Sequence, residues 1–322
     1  MKKSIQFVIS APISTSQVSK NRILPFLNSG LNSEYRVELV SPDKVKLNIQ
    51  NDSFVHKLLS FNYKDKEKIN NFLYRVIYEF NYIFKLAMLA RQSKSDITVL
   101  SIPSPILLFF SFLFSKQRLI IDLRDLTWEY LPNSNILWRL LKIISKIGAG
   151  FFLKRAKAII VTNFAEKNYI LENYSYTGTI IKVSNGISKN QFMQINQCHT
   201  NYAMPCVGYL GNIGLGQKIE FLINAAEMLP NIKFLIVGDG GGYKDIEQLI
   251  KIKNLKNVHL YGRVDWKKIP EIYKETNILY TQLIEDFNYG LPSKLYEYLA
   301  TGKCILYGGS GTAKTFLKDF DN

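Results

Sequence analysis

Short apolar and β-branched runs alternate along this chain with segments in which apolar residues return every three or four positions. The runs at 5–10, 35–41, 97–101, 118–123, 158–162 and 180–183 read as strands of one sheet, and those at 206–210, 233–237, 258–261 and 277–281 as strands of a second. Between about 66 and 93, Ile69, Phe72, Leu73, Val76, Ile77, Phe80, Ile83, Phe84 and Ala87 keep the spacing of an amphipathic helix facing a core. The stretch 106–114 is apolar throughout and reads as a core helix. Residues 136–157 place Leu, Ile and Phe on one face with Arg139, Lys142, Lys146, Lys154, Arg155 and Lys157 interspersed, the pattern of a solvated helix face or of a helix that lies on a membrane. Shorter helical segments fall at 166–173, 218–228 and 269–274. Strands alternating with helices predict an α/β protein with parallel sheets. The segment 188–205 has neither period nor apolar density and reads as a linker between a domain over 1–187 and another over 206–322.

Length and composition agree with two packed cores: 322 residues, 47% hydrophobic and 21% charged, exclude a disordered chain. A net charge of +15 points to acidic partners such as nucleotides, nucleic acid or anionic lipid headgroups. Lys, Asn, Ile and Tyr are all plentiful, however, so the charge reflects a compositional bias more than a local patch. Cys198, Cys206 and Cys304 have no metal-ligand spacing and form no disulfide framework, which predicts a reducing cytoplasm. The amino terminus reads as a first strand and not as a signal peptide, and the longest apolar run is too short to span a bilayer.

The densest candidate chemistry lies at 287–303. Pro292 suits the first turn of a helix and Gly302 its carboxyl end, so a helix from about 292 to 301 is expected. Gly290 before it would let a ligand approach the backbone, where free N–H groups attract an anion. Lys294 and Glu297 share one face and offer a cation and an acceptor; the alternative is a surface helix with one weak ion pair. The strand at 118–123 delivers Asp122, Arg124 and Asp125 at its carboxyl end, either as a site or as an internal pair of Arg124 with Asp125 or Asp122. Gly211 to Gly216 is a Gly-rich strand-to-helix turn that can face phosphate or merely turn the chain. The first loop has no dinucleotide fingerprint, and Ser14, Thr15 and Ser16 would line a cleft or cap the next helix.

The words Pro-Ser-Lys at 292–294 and Glu-Tyr-Leu-Ala at 297–300 closely resemble the donor-binding signature of family-four retaining glycosyltransferases, in particular a bacterial subgroup that builds cell-surface polysaccharides. Asp-Leu-Arg-Asp-Leu-Thr-Trp at 122–128 resembles a second segment of that subgroup, near the acceptor side. The resemblance implies the GT-B fold, two Rossmann-like parallel-sheet domains facing a cleft, with no metal or other cofactor. It implies catalytic roles for Arg124, Asp125 and Lys294. It implies donor contacts from Gly211, Asn212, Gln217, Lys218, Gly238, Gly262, Arg263, Val264, Asn288, Tyr289, Gly290, Leu291, Ser293, Lys294 and Glu297, with Glu297 on the ribose, Lys294 and loop amides on the diphosphate, and 262–264 at the base. The chain departs from the family pattern at Tyr289, where many members carry an acid, and at Asn212 and Gln217, where many carry Arg and Lys. Relatives continue with further βα units after the counterpart of Gly311, so the second domain reads as incomplete.

The implied partners are a nucleotide-sugar donor, UDP-linked, and a saccharide or lipid-linked saccharide acceptor, with peripheral contact at the inner face of an anionic membrane and no nucleic acid. The rivals are a GT-B nucleotide-sugar epimerase or hydrolase, which needs no acceptor, and an inactive nucleotide-sugar-binding remnant. No paired-carboxylate or Ser-His-Asp motif is evident, and His56, His199 and His259 lie in no recognisable site.

Overall fold

The computed structural model describes residues 3–13, 17–33, 35–43, 54–59, 72–102, 104–114, 118–196 and 205–320. The chain divides into two units, Met1–Asn185 and Gly186–Asn322. In the first, β1 (Ser4–Ile9), β2 (Arg36–Ser41), β3 (Phe54–Leu58), β4 (Ile97–Ile102), β5 (Arg118–Leu123), β6 (Ala158–Val161) and β7 (Thr179–Lys182) form one sheet in the order β3-β2-β1-β4-β5-β6-β7. Every pairing is parallel. A parallel sheet is covered on both faces, so its central strands must be apolar on both. Consecutive Phe7, Val8 and Ile9 of β1 are accordingly all buried.

Right-handed crossovers put α1 (Gln17–Asn32) on one face of this sheet and α2 (Phe72–Arg91), α3 (Pro105–Phe109), α4 (Ile136–Leu153) and α5 (Phe164–Tyr174) on the other. Ile23, Leu27 and Leu31 of α1 close a core with Phe7, Val37 and Leu39. On the other face α3 packs on β4 and touches both α2 and α4. Asn135 and Asn163 start α4 and α5 as side-chain caps, accepting from the Trp138 and Glu166 N–H groups at 3.0 and 2.9 Å.

The second unit holds a five-stranded parallel sheet: β8 (Cys206–Leu210), β9 (Lys233–Val237), β10 (Val258–Gly262), β11 (Ile278–Gln282) and β12 (Cys304–Gly308), ordered β10-β9-β8-β11-β12. Its helices are α6 (Lys189–Ile195), α7 (Glu220–Met228), α8 (Tyr243–Ile252), α9 (Ile269–Glu275), α10 (Lys294–Ala300) and α11 (Gly311–Leu317). Strand order reverses between β1 and β4 in the first sheet and between β8 and β11 in the second. At such a reversal the flanking crossovers leave in opposite directions and open a crevice at the carboxyl ends of the strands.

The structure differs from the sequence expectations in particular places. The segment read as a linker contains α6, started by a reciprocal cap between Ser188 and Gln191 and anchored by buried Ile195 in the core of the second unit. The apolar helix at 106–114 is α3 followed by a tighter 3-10 turn over Phe110–Phe114. The helix expected from 218 begins at Glu220, because a 3-10 turn over Leu215–Gln217 ends with Lys218 in the left-handed region, φ 43°. The helix expected over 292–301 is α10, which starts two residues later and ends at Gly302, φ 66°. Ser14, Thr15 and Ser16, the first turn and a half of the 66–93 segment, Cys198, His199 and the rest of 197–204 lie outside the described residues.

Candidate functional site

At the reversal point of the second sheet the loops leaving β8, β9 and β10 are knitted together through their backbones. The Gly211 N–H donates to Val237 O, that of Gly238 to Gly262 O and that of Ile213 to Asp239 O, at 2.9, 2.8 and 2.9 Å. Glycine is required at the centre of this knot: Gly238 has φ 143°, and a Cβ there would lie 1.8 Å from Gly211 O. At Gly211, φ 155°, a Cβ would meet the Lys294 ammonium at 2.6 Å. The glycines of the first two loops therefore let two turns close on each other and leave room above Gly211 for one cation.

That cation is placed by aromatic residues the sequence reading did not single out. Lys294 Nζ donates to the Tyr209 hydroxyl at 2.6 Å and stands 3.9 Å from the centre of the same ring. Tyr209, fully buried in β8, donates its own hydroxyl hydrogen bond to the Asn212 carbonyl. Tyr298, also fully buried, accepts from the Leu210 N–H at 2.8 Å and so pins α10 to the end of β8. Glu297 accepts from the Tyr273 hydroxyl at 3.3 Å. Lys294 and Glu297 thus sit on one helix face with separate supports, and Lys294 makes no ion pair among the described residues.

Their titration reflects this. Burial pushes Lys294 down to about 7, against the pull of Glu297. Burial also pushes Glu297 up to about 7, opposed by its bond from Tyr273 and by Lys294. A cation held without a countercharge, beside an acceptor that also resists ionisation, is an arrangement that an anionic ligand with hydroxyl groups would complete.

The remaining candidates divide. The Gly290 amide, expected to be free for an anion, donates to Phe287 O at 2.8 Å, because the 3-10 turn over Glu285–Phe287 continues into it. The N–H groups of Leu291, Ser293 and Lys294, on the turn into α10, donate to no group among the described residues. Gln217 turns inward to accept from the Gly214 N–H at 3.1 Å and serves as a local cap. Asn212 and Lys218 are exposed. Asn288 is held by the following loop, its side chain accepting from Ser310 at 2.9 Å and its carbonyl from the Thr312 N–H at 2.8 Å. Tyr289 is half-buried and Arg263 exposed, while Val264 packs against the core and offers its backbone alone. Glu285 and Asp286, the acids nearest before Tyr289 and the candidates to stand in for the acid that many family members carry there, are exposed.

In the first unit the charges at the end of β5 form a different arrangement from the one expected. Asp122 is fully buried and pairs with Arg22 of α1, not with Arg124: Nη2 to Oδ1 is 2.5 Å and Nε to Oδ1 3.0 Å. Ser101 donates to its other oxygen at 2.9 Å, and Arg22 Nη1 reaches Val183 O at 2.8 Å. This network ties β4, β5, α1 and the segment after β7. Arg124 instead donates to Ser19 at 3.3 Å, with burial pulling its pKa down. Asp125 is exposed at its surface, and crowding by protein, opposed by Arg124 and Arg22, raises it to about 6. Glu166, which the sequence reading did not include, is fully buried behind it and raised to about 8, by burial first and by Asp125 second.

Two Rossmann-like parallel-sheet domains of this kind define the GT-B class of fold, the architecture of many glycosyltransferases. Residues 200–322, which carry the knot, Lys294 and Glu297, match the family described as glycosyl transferases group 1. A stretch of 97 residues is 34% identical to the Escherichia coli (strain K12) protein named as a colanic acid biosynthesis glycosyl transferase, WcaI, and spans 29% of this chain and 24% of that protein. Among solved structures, sucrose-phosphate synthase from Thermosynechococcus elongatus superposes with a TM-score of 0.71 at 18% identity, over 96% of this chain and 82% of that one. HepE of Anabaena, in complex with UDP and glucose, gives 0.63 at 15% identity, over 98% and 83%.

Proposed function

We propose that the chain is a retaining glycosyltransferase that moves a hexosyl or N-acetylhexosaminyl group from a UDP-linked donor to a hydroxyl of a saccharide or lipid-linked saccharide in cell-surface polysaccharide synthesis. The observation that carries this reading is Lys294, set by Tyr209 over the Gly211–Gly238 knot at the sheet's reversal point without a countercharge. The match of residues 200–322 to group 1 glycosyl transferases and the UDP in the HepE complex support it.

In this reading the bond from the sugar's anomeric carbon to the diphosphate breaks while a bond to the acceptor oxygen forms on the same face. The acceptor proton passes to the departing diphosphate. Negative charge grows on that group, and Lys294 with the open amides of Leu291, Ser293 and Lys294 stabilises it; one such preorganised donor is worth on the order of 3 kcal/mol. The positive charge is supplied by the protein, so the reading requires no metal. Glu297 takes the ribose hydroxyls, and the backbone at Gly262–Val264 the base. Arg124 and Asp125 are the first unit's candidates for the acceptor side.

Incubation with a UDP-sugar and saccharide acceptors is expected to release UDP only when an acceptor is present, with the anomeric configuration of the donor kept in the product, as read by NMR. Acceptor-independent release of UDP would instead identify a hydrolase or epimerase. Binding of UDP without turnover across acceptors would identify a binding remnant.

A further inference from the structure

An 18-residue helix on a domain surface ordinarily turns its apolar stripe to the core. In α4 the stripe points outward. Ile136, Leu137, Leu140, Ile144, Ile147 and Phe151 are all more than half exposed, Ile136 at 78% and Ile147 at 68%, while small Ala149 and Gly150 with Leu153 face the sheet. The inward approach is close because a Cβ on Gly150 would strike the Tyr174 ring at 2.6 Å.

The exposed surface continues across the neighbouring helices. Phe152 of α4 packs edge-on against Phe109 of α3, with ring centres 5.4 Å apart. The next residue, Phe110, meets Phe80 and Phe84 of α2 with tilted rings whose centres lie 5.2 and 5.7 Å away. Phe80 and Phe84, together with Ile77 of α2 and Phe112 of the following turn, are exposed. Among the described residues nothing covers this face.

Beside it runs a rim of cations along the amino-terminal edge of the sheet. Backbone bonds join the strand starts in a row: Asp96 N to Ser4 O at 3.1 Å, Arg118 N to Asp96 O at 3.1 Å, and Lys157 N to Leu119 O at 2.7 Å. Lys3, Arg91, Lys94 and Arg118 line one cavity at this edge, with Phe112 in its wall and Asp96 as its acid. Lys154, Arg155 and Lys157 extend the rim from the end of α4, all exposed, and Arg155 lies over the Phe151 ring at 5.9 Å. No acidic residue occurs between Glu129 and Glu166.

We infer that this face, the outward stripe of α4 with the aromatic surface of α2 and α3, docks the protein on the surface of an anionic lipid bilayer, the cation rim meeting the headgroups. Apolar side chains enter the boundary between headgroups and acyl chains while the cations hold the phosphates, the two contributions that set interfacial binding. A twofold pairing of two copies would bury the stripes but leave the cation rim unanswered. The contact inferred is a peripheral one; among the described residues no helix is long and apolar enough to cross a membrane. The inference stands on the first unit and does not rest on the donor site.

Flotation of the whole chain with vesicles of phosphatidylcholine alone, and of phosphatidylcholine mixed with phosphatidylglycerol, tests it. The protein should float with the mixed vesicles, less as salt rises. Two double variants, Leu140→Asp with Ile147→Asp and Lys154→Glu with Arg155→Glu, should each weaken that binding at least about tenfold. All four side chains are exposed, so melting temperature and circular dichroism should be unchanged. Failure of the parent chain to bind anionic vesicles, or undiminished binding by both variants, overturns the inference. So does a dimer in sedimentation velocity that Leu140→Asp with Ile147→Asp dissociates, which would give the face to a second copy.

Discussion

Lys294→Ala is expected to abolish the stabilisation that UDP confers on the protein and to lower kcat/KM by about a hundred- to a thousandfold, the range for losing one preorganised donor aimed at developing charge. The ligand-free melting temperature should hold or rise, because the substitution removes a partly buried ammonium with no countercharge. This pattern, binding lost and fold kept, separates a ligand-binding lysine from a structural one. A pH dependence follows. Burial lowers the Lys294 pKa to about 7, and a diphosphate binds the protonated form, so UDP affinity should fall as pH rises above about 7. Glu297, raised to about 7 by the same cause, becomes the stronger acceptor for the ribose hydroxyls as it ionises, so the fall is assigned to Lys294. In Lys294→Arg, whose guanidinium stays charged, the fall attributable to position 294 should disappear. A melting temperature that collapses in Lys294→Ala, or UDP affinity that increases with pH, would contradict this placement.

Arg22→Ala is the second large effect. It leaves the Asp122 carboxylate fully buried with the Ser101 hydroxyl as its remaining hydrogen-bond donor among the described residues and frees Val183 O, and breaking a buried pair on one side costs about 3–5 kcal/mol. For a unit of this size the melting temperature should drop by about 10 °C. The double replacement Arg22→Met with Asp122→Leu should recover much of the loss, since it removes both charges and leaves neither unpaired. A single-variant loss within experimental error would show that the pair does not hold β4, β5 and α1 together.

Much of the fold was legible because parallel strands buried on both faces are written as uninterrupted apolar runs: Val207 to Leu210 and Phe234 to Val237 need only length and Gly-bounded ends to be read. Helix α6 was hidden because its evidence is a cap, Ser188 with Gln191, and one core residue, Ile195, in seven positions that show no period. Helix α8 was passed over although Ile246, Leu249 and Ile250 carry helical spacing.

The candidate site was legible where its chemistry is local. Lys294 and Glu297 are three residues apart on one helix, so spacing alone puts them on one face. The partners that set their titration come from far along the chain: Tyr209 lies 85 residues before Lys294, and Tyr273 lies 24 before Glu297. Likewise Asp122 is paired 100 residues away with Arg22, which nothing near 122–128 announces. A glycine run signals a tight turn, but only coordinates show that Gly238 makes room for the Gly211 carbonyl. The Gly290 amide illustrates the converse, a turn residue whose donor is spent within its own turn.

The measurement that bears most directly on the central claim is the thermal shift of the parent chain with UDP, GDP and ADP in turn. A nucleoside diphosphate at about a hundred times its dissociation constant stabilises the folded form by roughly 2.7 kcal/mol. The account predicts a shift with UDP that exceeds those with GDP and ADP. No shift with any of the three, in a sample that melts cooperatively, would contradict it.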